Sequence, residues 1–148
     1  MIDRKMKDMK KGFTLIEMLV VISIIGILLG LSLFSLQGSK QSGRDAQRKS
    51  DLELIRSGLE IYKSDCNSYP TSLDTSLEGD GSNESCPSSN VYISEVPTDP
   101  EDPQRGYIYS SDGVTYEICA ALEGGTGSVT CGGSSNCGET CNYKVTNP

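Results

Sequence analysis

The chain has 148 residues, with 13 basic and 20 acidic side chains and a net charge of -7. This length suits one small domain, and the acidic balance gives no broad electrostatic basis for binding nucleic acid. Histidine is absent, which excludes Ser-His-Asp triads, Cys-His dyads and histidine-ligated zinc sites. We therefore expect no catalytic residue, cofactor, metal site or small-molecule substrate.

A short basic segment precedes a long apolar one. Residues 1–12 carry five basic and two acidic side chains, and the 24 residues of 13–36 contain a single charge, Glu17. An α-helix of this length is about 36 Å long, enough to cross a hydrocarbon core of about 30 Å. The pattern predicts a membrane span over residues 13–36, preceded by a signal-like leader.

All six cysteines follow the apolar segment, in a region rich in Gly, Ser and Asn. That placement is typical of a disulfide-stapled domain outside the cytoplasm, with a zinc cluster or free thiols as alternatives. No C-x-x-C pair occurs, which argues against zinc. Six cysteines allow fifteen pairings. We favour sequence neighbours, namely Cys66–Cys86, Cys119–Cys131 and Cys137–Cys141.

Glu17 is a carboxylate in an apolar environment, which costs about 2.5–3.5 kcal/mol at the centre of a membrane and less near its edge. It could be a snorkelling acid with no partner. Alternatively, cleavage between Gly12 and Phe13 would create an α-amino cation that Glu17 of a neighbouring helix could neutralise.

The sequence KKGFTLIEMLVV at residues 10–21 resembles the processing site of type IV pilins and type II secretion pseudopilins. The resemblance implies that a prepilin peptidase cleaves after Gly12 and methylates the new amino terminus at Phe13. It also implies that Glu17 sets the register of the helices during assembly.

The apolar segment continues into an amphipathic one. No proline occurs between residues 13 and 66, so we predict one helix over this range. Its second half has apolar residues at steps of three and four, which is the spacing of one helix face. These residues are Leu52, Ile55, Leu59, Tyr62 and Cys66.

Gly26 and Gly30 form a G-x-x-x-G pair, which lets membrane helices approach closely. The alternative is that they are background glycines of a membrane helix. In pilin filaments this part of the helix can unwind, so the resemblance implies flexibility at these glycines. The proline that often marks the unwound segment is absent before residue 36, which leaves unwinding open.

Residues 67–148 are predicted to form a head outside the cytoplasm. Short β-prone runs at residues 91–93, 106–109 and 114–120 predict one small antiparallel sheet, and residues 124–141 a stapled loop. The fold class is therefore α+β, a long N-terminal helix packed on a small sheet. The motifs YKSDCNSYP, VPTDP and YIY resemble landmarks of the major pseudopilin group.

The chain departs from that group at one point. Major pseudopilins bind calcium through an acidic loop after the last strand, but here residues 122–128 contain one acid. Asp99, Glu101 and Asp102 form a second acidic group, whose flanking prolines favour a solvated turn over a calcium site. We expect no metal at either place.

The charges are unevenly distributed. Residues 40–63 hold six basic and four acidic side chains, whereas residues 64–148 hold two basic and thirteen acidic. We expect Arg44, Arg48 and Lys49 of one subunit to meet the acidic head of another, with anionic lipid headgroups as the alternative.

Together these patterns predict a structural subunit of the pilin kind rather than an enzyme. The chain would be held in the cytoplasmic membrane with its head outside, then polymerise into an extracellular filament, a pilus. Expected partners are further copies, the prepilin peptidase, the membrane, and the assembly platform with its ATPase. The disulfide-dense tail favours a pilus subunit. The alternatives are a pseudopilin forming a short piston in the cell envelope, a non-polymerising membrane-anchored binding domain and a secreted enzyme.

Overall fold

The computed structural model describes residues 12–148, without the side chains of residues 32–36. Of the expected leader, residues 1–12, all but Gly12 lies outside the described residues. The chain divides into two compact units, Met1–Ser39 and Lys40–Pro148. The element order is one helix followed by five strands.

The helix α1 spans Leu15–Cys66, which confirms the predicted long N-terminal helix. Its first turn contains Glu17 and its last turn Lys63, charges that suit the two ends of the helix dipole. Asn67 follows the last helical residue with a φ of 63°, a left-handed conformation that asparagine tolerates and that commonly ends helices. The Lys63 ammonium donates a hydrogen bond to the Asn67 carbonyl at 2.8 Å.

The sequence predicts a membrane span over residues 13–36. Among residues 12–148, no helix is long and apolar enough to cross a membrane.

Five short strands form two antiparallel sheets. The strands β1 (Leu77–Glu78) and β2 (Val91–Ile93) pair with each other. The strands β3 (Ile108–Ser111), β4 (Tyr116–Ala120) and β5 (Tyr143–Thr146) form a second sheet in the order β3-β4-β5. The predicted β3-β4 hairpin is confirmed. The prediction of one sheet is wrong, because β2 pairs with the two-residue strand β1 in a separate sheet, and neither β1 nor β5 was predicted.

The larger sheet separates two groups of buried side chains. On β4, Tyr116, Ile118 and Ala120 belong to the core that contains the apolar face of α1. Cys119 belongs to the second core, with Ala121 and the cysteines of the C-terminal loop. This alternation follows from the period of two in a strand. The predicted helix face, Leu52 to Cys66, is buried, so the α+β class is confirmed.

Three disulfides staple the head, Cys66–Cys86, Cys119–Cys131 and Cys137–Cys141, and no cysteine is free. This is the pairing favoured from the sequence. The first bond joins the end of α1 to the loop before β2, and the other two hold the C-terminal loop. Such bonds supplement a core that is small for a domain of this size.

The packing of β4 on α1 predicts that shortening a buried side chain destabilises the fold more than shortening an exposed one. Ile118 is fully buried, whereas Val114 is 69% exposed. We expect Ile118→Ala to lower the free energy of unfolding by about 2–5 kcal/mol and Val114→Ala by no more than about 0.5 kcal/mol. Urea denaturation followed by circular dichroism measures both. Equal losses would contradict this packing.

Candidate functional site

Two groups of residues are candidates for function. The first is the start of α1, where the resemblance places processing and assembly. The second is a cluster of ion pairs between α1 and two loops of the head, which includes the basic residues expected to bind another subunit.

Gly12 and Phe13 lie before the first residue of α1, outside regular secondary structure, and both are exposed. A peptide bond in this conformation is accessible to a peptidase, whereas a bond inside a helix is held by hydrogen bonds. The structure therefore places the expected cleavage site in exposed chain, immediately before the helix.

Thr14 and Glu17 form a capping box at the start of α1. The Glu17 backbone N–H donates to Thr14 Oγ1 at 3.3 Å, and the Thr14 backbone N–H donates to Glu17 Oε2 at 3.5 Å. These bonds satisfy two backbone donors that a helix start otherwise leaves unpaired. Sequence reasoning gave Glu17 an assembly role only. The T-x-x-E pattern before an apolar run could have revealed this second role.

Gly26 and Gly30 lie within α1, which continues through both. A Cβ atom added at either glycine would meet no heavy atom within 4 Å in the described residues. Neither glycine is therefore required by contacts in its own subunit. This open space is compatible with both expectations, close approach of a second helix and background glycines of a membrane helix.

The first half of α1 exposes large apolar side chains. Leu15, Ile16, Ile22 and Leu31, among others, are more than 60% exposed. Water-exposed apolar surface of this extent indicates an interaction with lipid or with other protein.

In the head, Arg48 is fully buried and all its donor nitrogens bind carboxylates. Its Nε and Nη2 donate to Asp99 at 2.8 and 3.0 Å. Its Nη1 donates to Asp45 at 2.8 Å and to Glu123 at 2.9 Å, and Nη2 also donates to Glu101 at 3.0 Å. The planar guanidinium can bind several carboxylates at once. The side chain of Arg48 therefore joins α1 to two loops.

Two further arginines extend this cluster. Arg44 binds Glu123 through Nε and Nη2, and Arg105 Nε lies 3.0 Å from Glu101. Arg105 also pairs with Glu139 at 2.9 Å and donates to the Ala121 carbonyl. We call Arg44, Arg48 and Arg105, with the carboxylates they bind, the arginine cluster.

The arginine cluster lowers the pKa values of two carboxyl groups, those of Glu123 and Asp45. Hydrogen bonds from Arg44, with a contribution from Arg48, lower the pKa of Glu123 from 4.5 to about 2, against the opposing effect of burial. Burial alone would raise the pKa of Asp45, but the backbone N–H groups of Gly124 and Glu123 and the side chain of Arg48 lower it. These carboxyl groups are therefore ionised in the folded head at neutral pH.

The arginine cluster corrects one sequence expectation. Arg44 and Arg48 bind carboxylates of their own head and cannot serve the head of another subunit without breaking these pairs. Of the three basic residues proposed for that role, Lys49 is exposed, and its ammonium lies 5.7 Å from the Tyr143 ring centroid. Sequence spacing could not show this, because three of these carboxylates, Asp99, Glu101 and Glu123, lie more than 50 residues away along the chain.

Several side chains considered as metal ligands have other bonding partners in the described residues. Cys66, Asp80 and Cys86 have ligand atoms within 4.8 Å of one another, but both sulfur atoms belong to a disulfide and are not thiolates. Asp99 and Glu101, two of the three acids considered for calcium, bind Arg48 instead.

Comparison with known proteins gives two family matches. Residues 7–33 match the prokaryotic N-terminal methylation motif, and residues 35–135 match type II secretion system protein G. The two matches follow one another along the chain. Together they show an N-terminal methylation motif followed by a region of the type II secretion system protein G kind.

Individual relatives agree with these matches. Type II secretion system core protein G of Escherichia coli is 35% identical over 119 residues, covering 77% of this chain and 82% of the relative. That of Vibrio cholerae is 32% identical over 133 residues, covering 82% and 90%. That of Aeromonas hydrophila is 42% identical over 65 residues, covering 44% and 46%. No solved structure matches the chain. The chain belongs to the type II secretion system protein G family.

The burial of Arg48 predicts a large effect of its removal. Replacing it with methionine leaves the carboxylates of Asp99 and Asp45 without their cation, so we expect Arg48→Met to lower the free energy of unfolding by about 3–5 kcal/mol. Arg56, whose side chain is 36% exposed and 3.6 Å from Glu53, provides the matched control. Arg56→Met should cost no more than about 1 kcal/mol. Urea denaturation of both variants tests this, and equal losses would contradict a dominant role for Arg48.

The lowered pKa of Glu123 predicts the direction of acid sensitivity. Because its folded-state pKa is about 2, against an ordinary 4.5, its contribution to stability is complete above about pH 5 and is lost as the pH falls towards 2. In urea titrations from pH 7 to pH 2, Glu123→Gln should lose less stability on acidification than the wild type. The exposed acid Glu84 gives the control, since Glu84→Gln should follow the wild-type slope. A Glu123→Gln slope equal to that of the wild type would refute the assignment.

Proposed function

We propose that this chain is the major pseudopilin of a type II-like secretion system, a structural subunit that polymerises within the cell envelope. The observation that carries the proposal is the union, in one chain, of a methylation motif over residues 7–33 and a protein G match over residues 35–135. This family match favours a pseudopilin over the extracellular pilus subunit that the disulfide-dense tail suggested.

Processing would occur between Gly12 and Phe13. The exposure of both residues, and their position just before α1, support cleavage by a prepilin peptidase, followed by methylation of the new amino group of Phe13. The domain organisation proposed on this basis is a leader over residues 1–12, the helix over 13–66 and a head over 67–148.

The apolar part of α1 would hold the subunit in the membrane before assembly and form the filament core afterwards. Its exposed apolar side chains support both environments, since they need lipid or neighbouring helices as cover. Gly26 and Gly30, where an added Cβ atom would meet no heavy atom within 4 Å in the described residues, would allow the helices to approach closely.

Glu17 would pair with the amino group of Phe13 of another subunit. In the capping box only Oε2 of Glu17 accepts the Thr14 N–H, so Oε1 can accept a hydrogen bond from a neighbouring ammonium. The pair would offset the cost of holding a carboxylate among apolar side chains.

The head would lie outside the cytoplasm, where the three disulfides can form and persist. Assembly from the membrane would involve an assembly platform and its ATPase. The head carries ion pairs and aromatic packing between its own elements, which supports a structural role rather than a catalytic one.

Two substitutions at Glu17 separate its cap from its charge. Glutamine can still accept the Thr14 N–H but carries no charge, whereas valine can do neither. If pairing with the amino group drives assembly, Glu17→Gln and Glu17→Val should both reduce polymer by at least about tenfold, in line with the loss of a buried charge pair. Polymer is measured by electron microscopy and by the sheared fraction from cells with the secretion machinery.

Intact-mass measurement of the same samples provides the control. Wild type and both variants should begin at Phe13 with one added methyl group, which shows that processing is intact. Normal polymer from Glu17→Gln would assign Glu17 to the cap alone. Wild-type protein that still begins at Met1 would refute the proposed function.

A further inference from the structure

The head has a groove beside the first strand of its larger sheet. It is a cavity of about 610 Å³ between residues 71–75, residues 96–99 and the strand β3. Its walls include the side chains of Ile55, Leu73, Val96 and Tyr107, which make it largely apolar. Two exposed carboxylates, Asp74 and Asp102, also line it. We call this cavity with its two acids the acidic groove.

Neither carboxylate of the acidic groove is used inside the subunit. Among residues 12–148, neither Asp74 nor Asp102 has an ion-pair partner, in contrast to the neighbouring Asp99, which binds Arg48. An apolar floor with acids at its rim suits a lysine or arginine side chain, because the methylene stem can lie on the floor while the charged head meets the carboxylates.

A row of basic residues lies on the helix α1. Lys49, Arg56 and Lys63 are seven residues apart along α1, a spacing that returns to nearly the same side of a helix. We call these three residues the basic stripe. Ile55, which lines the acidic groove, is one residue before Arg56 and so faces about 100° away from it.

The cations of the basic stripe are weakly engaged in their own subunit. The ammonium groups of Lys49 and Lys63 lie over the rings of Tyr143 and Tyr69, at 5.7 and 5.1 Å from the centroids, and that of Lys63 also donates to the Asn67 carbonyl at 2.8 Å. Arg56 lies 3.6 Å from Glu53, and its side chain is 36% exposed. The other two acids between Lys49 and Lys63 accept hydrogen bonds from tyrosine hydroxyls, Asp51 from Tyr107 and Glu60 from Tyr69 and Tyr116.

The acidic groove and one end of the basic stripe, Lys49, lie at opposite edges of the sheet β3-β4-β5. The acidic groove lies beside β3, which is one edge, and Lys49 lies over Tyr143 of β5, which is the other. Because the two patches lie apart, the basic stripe of a subunit cannot reach the acidic groove of the same subunit. A subunit can satisfy both patches by binding one copy on each side, an arrangement that continues as a helical polymer.

We propose that the basic stripe of one subunit docks into the acidic groove of a second copy. The inference rests on the proposed function, since it requires that the subunits polymerise, and it names the surfaces of the heads that meet. Charge complementarity selects the occupant, because residues 64–148 carry thirteen acidic and two basic side chains, while residues 40–63 carry an excess of basic ones.

Charge reversal in the full-length chain, in cells with the secretion machinery, tests this contact. Arg56→Glu should reduce polymer about tenfold, because it places like charges together in each contact. Lys40→Glu is the matched control: it changes the same charge on exposed α1 surface, outside the basic stripe and the groove, and should assemble within about twofold of wild type. Combining Arg56→Glu with Asp74→Lys or with Asp102→Lys should restore at least one variant towards wild type.

Cross-linking gives a second measurement that does not depend on polymer yield. All six native cysteines are in disulfides, so Arg56→Cys with Asp74→Cys introduces the reactive thiols. A short bis-maleimide should give a ladder of covalent multimers from assembled protein. The pair Lys40→Cys with Asp74→Cys should give none.

The outcomes separate the inference from the proposed function. Wild type that never polymerises refutes the proposed function. Wild type that polymerises while Arg56→Glu assembles normally, or is rescued by neither groove reversal, overturns the inference alone. The inference is also overturned if the Arg56→Glu variant forms normal polymer but its subunit binds phosphatidylglycerol vesicles more weakly. The basic stripe would then bind lipid rather than a second copy. Equal loss in Lys40→Glu would assign the effect to net charge and also overturn it.

Discussion

The buried guanidinium of Arg48 is the interaction on which the position of the sheet depends. Asp99 and Glu101 precede β3, and Glu123 follows β4, so these acids sit at the end of the hairpin where Ile108 pairs with Cys119. One cation on α1 therefore fixes where β3 begins and where β4 ends. A hydrophobic contact could not do this with the same directional precision, because the guanidinium matches each carboxylate in a fixed geometry. Buried ion pairs are costly in general, and full occupation of the donors is what makes this one tolerable.

Once the hairpin is fixed, the alternation of β4 divides the head into two cores. The side facing α1 is built from large residues and tyrosines, with Tyr69 packed edge-on against Tyr116 at a centroid distance of 4.7 Å. The other side faces a polar loop that offers few apolar side chains, and cysteines supply most of its buried surface. The disulfides of that loop thus hold a layer that hydrophobic burial alone would hold poorly.

Sequence periodicity could predict the structural features that depend on residues close together along the chain. It gave the length of α1, its buried face, the β3-β4 hairpin and the α+β class. It missed β5, which is a short strand of residues 143–146. It also missed β1, because residues 77–78 form a strand only by pairing with a segment that is distant along the chain. The arginine cluster was also out of reach, since whether Arg48 binds its own head or another depends on which carboxylates the topology brings beside it. The capping role of Glu17 was readable from Thr14 and was overlooked in favour of its charge.

The internal use of Arg44 and Arg48 limits how subunits can attract one another. Pairing within the head neutralises those two cations against its own acids, so a subunit can fold before it meets a second copy. The remaining acids still outnumber the remaining bases, and heads of like charge repel when packed together. Apolar contact between helices must therefore overcome that repulsion, unless exposed bases of one head lie against exposed acids of the next. Within residues 12–148, the weakly engaged cations of α1 are among those left for this purpose, so the proposed assembly depends on their placement rather than on their number.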